Sequence, residues 1–262
     1  MNLWFNYVKV RKVVANTIIL FFLPFLVDGS PAQISHGDEF TFIRIKYNNG
    51  GENYRYRNLF GPGFVYWAVD YPFAEENFIK RVKKYTSLKV AKEAIALSLD
   101  DPQIFNYSFA YVVEVGYMSL SQHEAEVLRE WLLRGGFLIV DDFHGPYEWN
   151  HFLEEMKKVF PEKPLIDIPA DHPIFHCYYD FNKVPQIPGL GSWLRGRTYE
   201  KGGYFPHCKG IFDDQGRLMV LVNHNTDIGD SWEHAEDPRY PAEYSFKGFK
   251  LGINFIIYAL TH

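Results

Sequence analysis

Apolar and polar positions along the chain follow two different periods, and the sharpest change between them falls from Ser121 to His144. Ser121-Gln122-His123-Glu124 has the form of a capping box, in which the serine hydroxyl takes an amide of the first turn and Glu124 reaches back. Ala125, Leu128, Trp131 and Leu132 follow at helical spacing, and Gly135-Gly136 supplies residues that can turn left-handed and end a helix. Phe137-Leu138-Ile139-Val140 is then an unbroken apolar run, as a strand shows when both faces of a parallel sheet are covered. It ends in Asp141-Asp142-Phe143-His144-Gly145, and ligands of open α/β sheets bind outside the carboxyl ends of the strands.

The same reading extends in both directions. Phe40 to Tyr47, Ala94 to Leu99 and Phe109 to Val115 are rich in β-branched and aromatic residues and predict strands, with a helix from Phe73 to Tyr85 among them. The stretch from Asn48 to Gly63 is a long loop, a length that in a compact domain commonly serves a site, and it is expected to overhang one here. Downstream, Glu148 to Phe160 predicts an amphipathic helix halted by Pro161, and Leu165 to Ile168 a short strand that brings Asp171 and His172 to the same end of the sheet. Lys209 to Phe212 and Arg217 to Asn223 read as a hairpin turning at Asp213 to Gly216, and Ile253 to Leu260 as a buried closing helix. Strand and helix in alternation call for right-handed parallel crossovers, hence a three-layer α/β/α sandwich with a mostly parallel sheet.

The amino terminus has a different pattern. Lys9, Arg11 and Lys12 precede an apolar segment, Val13 to Val27, which is shorter than the roughly 20 residues that span a bilayer. With the small residues of Ser30-Pro31-Ala32 it reads as a secretory signal over residues 1–32, followed by a linker over 33–39 and a single domain over 40–262. The expected location is periplasmic or secreted; the alternative is an uncleaved anchor, through which alone the chain would touch a membrane. A net charge of −5 argues against a nucleic-acid partner. Cys177 and Cys208 could pair in an oxidising compartment or remain buried thiols.

Three polar clusters carry candidate chemistry. Asp141, Asp142 and His144 follow the central strand; Asp171, His172 and His176 follow the short one; His224, Asn225, Asp227, Asp230, Glu233 and His234 follow the hairpin. Asp142 and Glu233 are the candidate catalytic carboxylates. Asp141, His144, Asp171, His172, Asp227 and Trp232 are candidate ligand-binding residues, and His144, His172 and Asp227 a candidate divalent-metal set. Each cluster also has a structural reading, as helix caps and turn hydrogen bonds. Trp149, Trp193 and Trp232 could present flat faces to a sugar ring or simply fill the core.

Leu128-Arg129-Glu130-Trp131, Gly135 through Asp142, Asp171 through Phe175, Asp213 to Leu218, Asn225-Thr226-Asp227 and Trp232-Glu233 together resemble an uncharacterised bacterial family, a domain of unknown function. The resemblance covers essentially all of the mature chain. It implies a fold similar to class I glutamine amidotransferases and flavodoxin-like sandwiches. Members are often encoded near MoxR-type ATPases and von Willebrand A-type envelope proteins, which implies a partner in an envelope assembly. The Gly-Gly strand and the His-Pro turn are more distantly similar to ThuA-like proteins. Amidotransferases carry a cysteine on a strand-to-helix elbow; Val140 to His144 contains neither cysteine nor serine, so thiol-dependent amide hydrolysis does not carry over. Two functions follow: a non-catalytic domain that binds a glycan or a protein partner, or a metal- or carboxylate-dependent hydrolase of carbohydrate or cell-wall material.

Overall fold

The computed structural model describes residues 39–50 and 64–262. The expected leader, the linker as far as residue 38 and most of the Asn48 to Gly63 loop lie outside the described residues.

Seven strands form a sheet, β1 (Ile43–Lys46), β3 (Ile95–Ser98), β4 (Phe109–Val113), β6 (Phe137–Asp141), β7 (Ile166–Asp167), β8 (His207–Phe212) and β9 (Leu218–His224), in the spatial order β3-β1-β4-β6-β9-β8-β7. The first five positions in that order are mutually parallel, while β8 runs antiparallel to both of its neighbours. A two-residue strand, β2 (Asn48–Asn49), pairs antiparallel with β5 (Met118–Ser119). From β1 the chain goes first to β3 on one side and then across to β4 on the other. The sheet therefore has its switch point between β1 and β4, where ligand crevices of such sheets open.

Alternate side chains of the strands meet helices on both faces. Ile45, Val112, Val140 and Val222 pack against α2 (Gln122–Leu133) and α3 (Gly145–Val159). Phe42, Phe109, Ile139 and Leu221 pack against α1 (Phe73–Tyr85), the short α5 (Ile228–Glu233) and α6 (Ala242–Thr261). A five-residue helix, α4 (Leu190–Leu194), lies in the loop before β8. Among the described residues no helix is long and apolar enough to cross a membrane.

Local chemistry explains the element boundaries. The capping box is formed: Glu124 N donates to Ser121 Oγ at 3.1 Å and Ser121 N donates to Glu124 Oε2 at 2.8 Å. Gly135 takes φ of +114° after α2, and a side chain on Gly136 would come 2.5 Å from the Trp131 ring, so the pair both ends the helix and lets the strand approach it. α3 starts earlier than Glu148, because Pro146 sits in its first turn where no amide is needed and the Glu148 carboxylate accepts the His144 amide at 2.6 Å. α6 extends well upstream of Ile253; its mixed polar sequence hides one buried stripe that includes Phe249.

The expected parallel strand at Leu165 to Ile168 is corrected. β7 pairs only with the antiparallel β8 at the sheet edge, and the chain doubles back after it. His172 is thereby placed against Phe212 and Tyr258, and Tyr258 in turn packs on Phe137, the first residue of β6. Asp171 and His172 thus lie at the opposite end of the sheet from Asp142, which follows the last residue of β6.

Candidate functional site

Glu114, Asp142 and Asn225 follow the last residues of β4, β6 and β9, three strands adjacent in the sheet, and all three adopt left-handed backbone with φ of 51°, 51° and 65°. Asp70, just ahead of α1, and Lys201, in the loop before β8, have φ of 64° and 46°. Among the described residues these are all of the non-glycine positions with positive φ, and the Asp70, Glu114, Asp142 and Lys201 side chains interact electrostatically around one rim. Such conformations cost roughly 1–3 kcal/mol each and persist where the surroundings impose them.

Asp141, the last residue of β6, is fully buried. Its Oδ2 accepts from Tyr111 Oη at 2.7 Å, Ile228 N at 2.8 Å and Gly229 N at 3.2 Å, tying β4, β6 and the start of α5 to one oxygen. Burial raises this carboxyl to about 6 despite those bonds. Asp142 is nearly as buried and its Oδ1 lies 3.1 Å from His144 Nε2, while His144 Nδ1 is buried without a partner. Burial lowers the affinity of His144 for a proton, so the ring is held neutral near physiological pH.

On the α1 and α5 side, Asp70, Asp227 and Asp230 offer carboxylate oxygens within 4.8 Å of one another, and Asp230, Glu233 and His234 form a second such group. Asp227 caps α5 through its Oδ1, which accepts from Asp230 N at 2.8 Å. Its other oxygen faces Gly189, where an added Cβ would lie 2.6 Å from Asp227 Oδ2, 2.9 Å from Glu200 Oε1 and 3.0 Å from Asp230 Oδ2. Asp70 Oδ2 is buried with no hydrogen-bond partner. The Asp70, Asp142 and Asp227 carboxyls are all pushed well above the usual carboxylate range, first by burial. Asp230 and Asp142 then press on Asp70 and on Asp227, and Glu200 presses on Asp142 against the pull of Lys201.

Lys201 makes the rim's other lobe. Its Nζ lies 2.7 Å from Glu148 Oε1 and 3.5 Å from Glu114 Oε2. Burial acts to lower the ammonium's proton affinity, but Glu114 and Glu148 outweigh it and hold Lys201 above its ordinary range. Asn225 fastens this lobe: its Oδ1 accepts from Gly145 N at 2.8 Å, its Nδ2 donates to Phe205 O at 2.7 Å and its carbonyl accepts from Gln186 Nε2 at 3.3 Å. Beside it opens a cleft of about 390 Å³ lined by Trp149, His207, Lys209, His224 and Asn225. Burial lowers His224 to about 4, so this imidazole is neutral at physiological pH.

Of the residues singled out in the sequence, the structure brings Asp141, Asp142, His144, Asp227 and Glu233 to this end of the sheet. It does not bring Asp171 or His172; the His172 Nδ1 instead accepts from Ile174 N at 3.2 Å as a turn cap. Only Asp227 of the expected metal set His144, His172 and Asp227 belongs to a group of converging ligand atoms among the described residues. Trp232, a candidate ligand-binding residue, is a core residue stacked on Phe78 at 4.2 Å between ring centroids. Cys177 and Cys208 are free thiols; Cys177 Sγ lies 3.2 Å from Asn254 O. Sequence reasoning missed Asp70, Glu114, Glu148, Glu200 and Lys201. Glu114 carried the signal used for Asp142, an acidic residue directly after a buried apolar run; Asp70 and Lys201 reach the site through loops and had none.

These features define the class: an α/β protein with a mainly parallel sheet and an acidic, strained rim at the carboxyl ends of its central strands. The chain belongs to the DUF4159 family, a domain of unknown function, which it matches over residues 42–260. No curated protein matches its sequence.

Proposed function

We propose that this is an exported envelope protein, an amidotransferase-like sandwich that binds a hydroxyl-rich ligand such as a glycan through a divalent cation held by Asp70, Asp227 and Asp230. The observation that carries the reading is the convergence of the Asp70, Asp227 and Asp230 carboxylate oxygens within 4.8 Å of one another, with Asp70 itself held in left-handed backbone and its Oδ2 buried without a hydrogen-bond partner. Strain and like-charge crowding both oppose folding, and a bound cation would offset the second. The donor set is all oxygen at its centre, which suits a hard ion such as Ca²⁺, Mg²⁺ or Mn²⁺ better than a thiol-loving one. Trp149 in the neighbouring cleft supplies a flat apolar face, and Lys209 and His207 supply polar contacts. The missing nucleophile at Val140 to His144 favours binding over acyl transfer.

The test is titration of chelator-treated protein with CaCl₂ and with MnCl₂ by calorimetry, for the parent, Asp227→Asn and Asp230→Asn. Saturable binding by the parent, weakened at least about tenfold in each variant, supports the site; this corresponds to ~1.4 kcal/mol per variant. No heat for either ion up to millimolar concentration sinks it. The export component predicts a mature amino terminus at Gln33, read by mass spectrometry of envelope fractions, and the assembly component predicts co-purification with an envelope partner.

A second reading, a hydrolase of carbohydrate or cell-wall material, is favoured by Asp142. Burial and its acidic neighbours keep a proton on this carboxyl to higher pH than usual, next to a neutral His144 at 3.1 Å, as a general acid and its partner require. Glu233 is the companion carboxylate in this reading. Release of reducing ends from cell-wall glycan, lost in Asp142→Asn with cation affinity unchanged, would establish it over pure binding.

A further inference from the structure

A second pocket, of about 220 Å³, lies between the end of α1, the first half of α6 and the segment around Tyr179, and shares no residue with the acidic rim. Its walls are apolar and aromatic, with Phe249, Ile253 and Tyr179 among them. The charged groups are of one sign only. Arg81 and Lys250 line it and no carboxylate does. Both cations are laid over the walls: Arg81 Cζ is 5.4 Å from the centroid of the Phe249 ring and Lys250 Nζ is 5.3 Å from that of Tyr179. Among the described residues neither forms an ion pair. Ser245, which is 4% exposed and also lines the pocket, has a hydroxyl with no hydrogen-bond partner.

We propose that this pocket binds a small aromatic carboxylate. A cavity of about 150 Å³ is enough to take benzene, so the present one has room for a ring and a short acid arm but not for a long acyl chain. The ring lies among Phe249, Ile253 and Tyr179. The carboxylate meets the Arg81 guanidinium, which can bond both oxygens, and the Lys250 ammonium. Because both cations already rest on aromatic faces, little side-chain freedom is lost on binding.

The test uses the full chain and 3-phenylpropionate as probe, with 3-phenylpropionamide as its uncharged counterpart, followed by calorimetry and by ligand-observed NMR. Saturable one-site binding of the acid, weakened at least about tenfold for the amide, is expected. Arg81→Gln and Lys250→Gln should each weaken it by about fivefold or more, and Lys250, on the surface, can be replaced without risk to folding. Failure of the acid to saturate at about 10 mM, equal affinity for the amide, or affinity untouched in Lys250→Gln would each overturn the proposal.

Discussion

Asp141 offers a direct measurement of how the rim is held together. One oxygen of this carboxylate serves the Tyr111 phenol and two amides at the start of α5, and the side chain is fully buried. Raising its proton affinity from the ordinary 3.8 to about 6 means that the charged form is disfavoured in the native state by about 3 kcal/mol, at ~1.4 kcal/mol for each tenfold change. The sign follows from which state holds the proton. Between pH 6 and pH 4 the native protein takes up the proton before the unfolded chain does, so this residue stabilises the fold as the pH falls and the contribution is lost as the pH rises through about 6. His224, lowered to about 4, acts in the opposite direction over the same window, so the parent's profile alone cannot isolate Asp141. The difference between Asp141→Asn and the parent can. Asparagine retains an acceptor for all three donors and never ionises, so its stability relative to the parent should be higher at pH 7 than at pH 4 by about 3 kcal/mol. For a domain of this size that is ~6–12 °C in melting temperature. Asp141→Ala strands a phenol and two amides at ~1–3 kcal/mol each, and should fall below Asp141→Asn by at least about 3 kcal/mol at any pH. Differential scanning calorimetry from pH 4 to pH 7 reads both. An Asn-minus-parent difference that does not change with pH, or an Asn variant as unstable as the Ala variant, would refute the account.

Asp142→Gly removes a left-handed non-glycine residue and a crowded buried carboxyl, so urea denaturation should show stability unchanged or raised by ~1 kcal/mol, with cation affinity in the calorimeter unchanged because Asp70, Asp227 and Asp230 stay in place. Arg44 and Glu75 form a fully buried ion pair between β1 and α1; Glu75→Gln should cost ~3–5 kcal/mol, and the double replacement Arg44→Met with Glu75→Leu should recover most of it in a denaturation cycle. Ser121→Ala breaks the capping box and should lower the urea-derived stability by ~1 kcal/mol without affecting either proposed site.

The segment from Ser121 to Asp142 was legible in sequence because every step there is local: a cap reads its own third residue, a helix its own stripe, and an apolar run its own burial. The rim was legible where it sits directly on strand ends, as with Asp142, and on the cap of α5, as with Asp227. It was not legible where long-range folding brings residues in. Nothing around Asp70 or Lys201 in the chain announces that one lies against Gly229 and the other against Glu114 and Glu148. The misplacement of His172 has a physical reason of the same kind. A short strand after a helix reads as one more member of the parallel order, whereas β8 reverses direction and leaves β7 an edge with no crossover to direct its loop. In sequence the flat ring of Trp232 reads as a face for a sugar, but α5 turns that side chain inward onto Phe78.

Asn225 also bears on how this protein can be rebuilt. Its side chain and carbonyl bind three chain segments remote in sequence, and Gly203 must lack a Cβ because one would fall 2.1 Å from Asn225 Oδ1. Gly145 is under the same constraint from Lys201 O, at 2.0 Å. A chimera that grafts a relative's covering loop onto this sheet therefore has to transplant Asn225, Gly145 and Gly203 as one cassette, since any one of them exchanged alone meets a neighbour shaped for another.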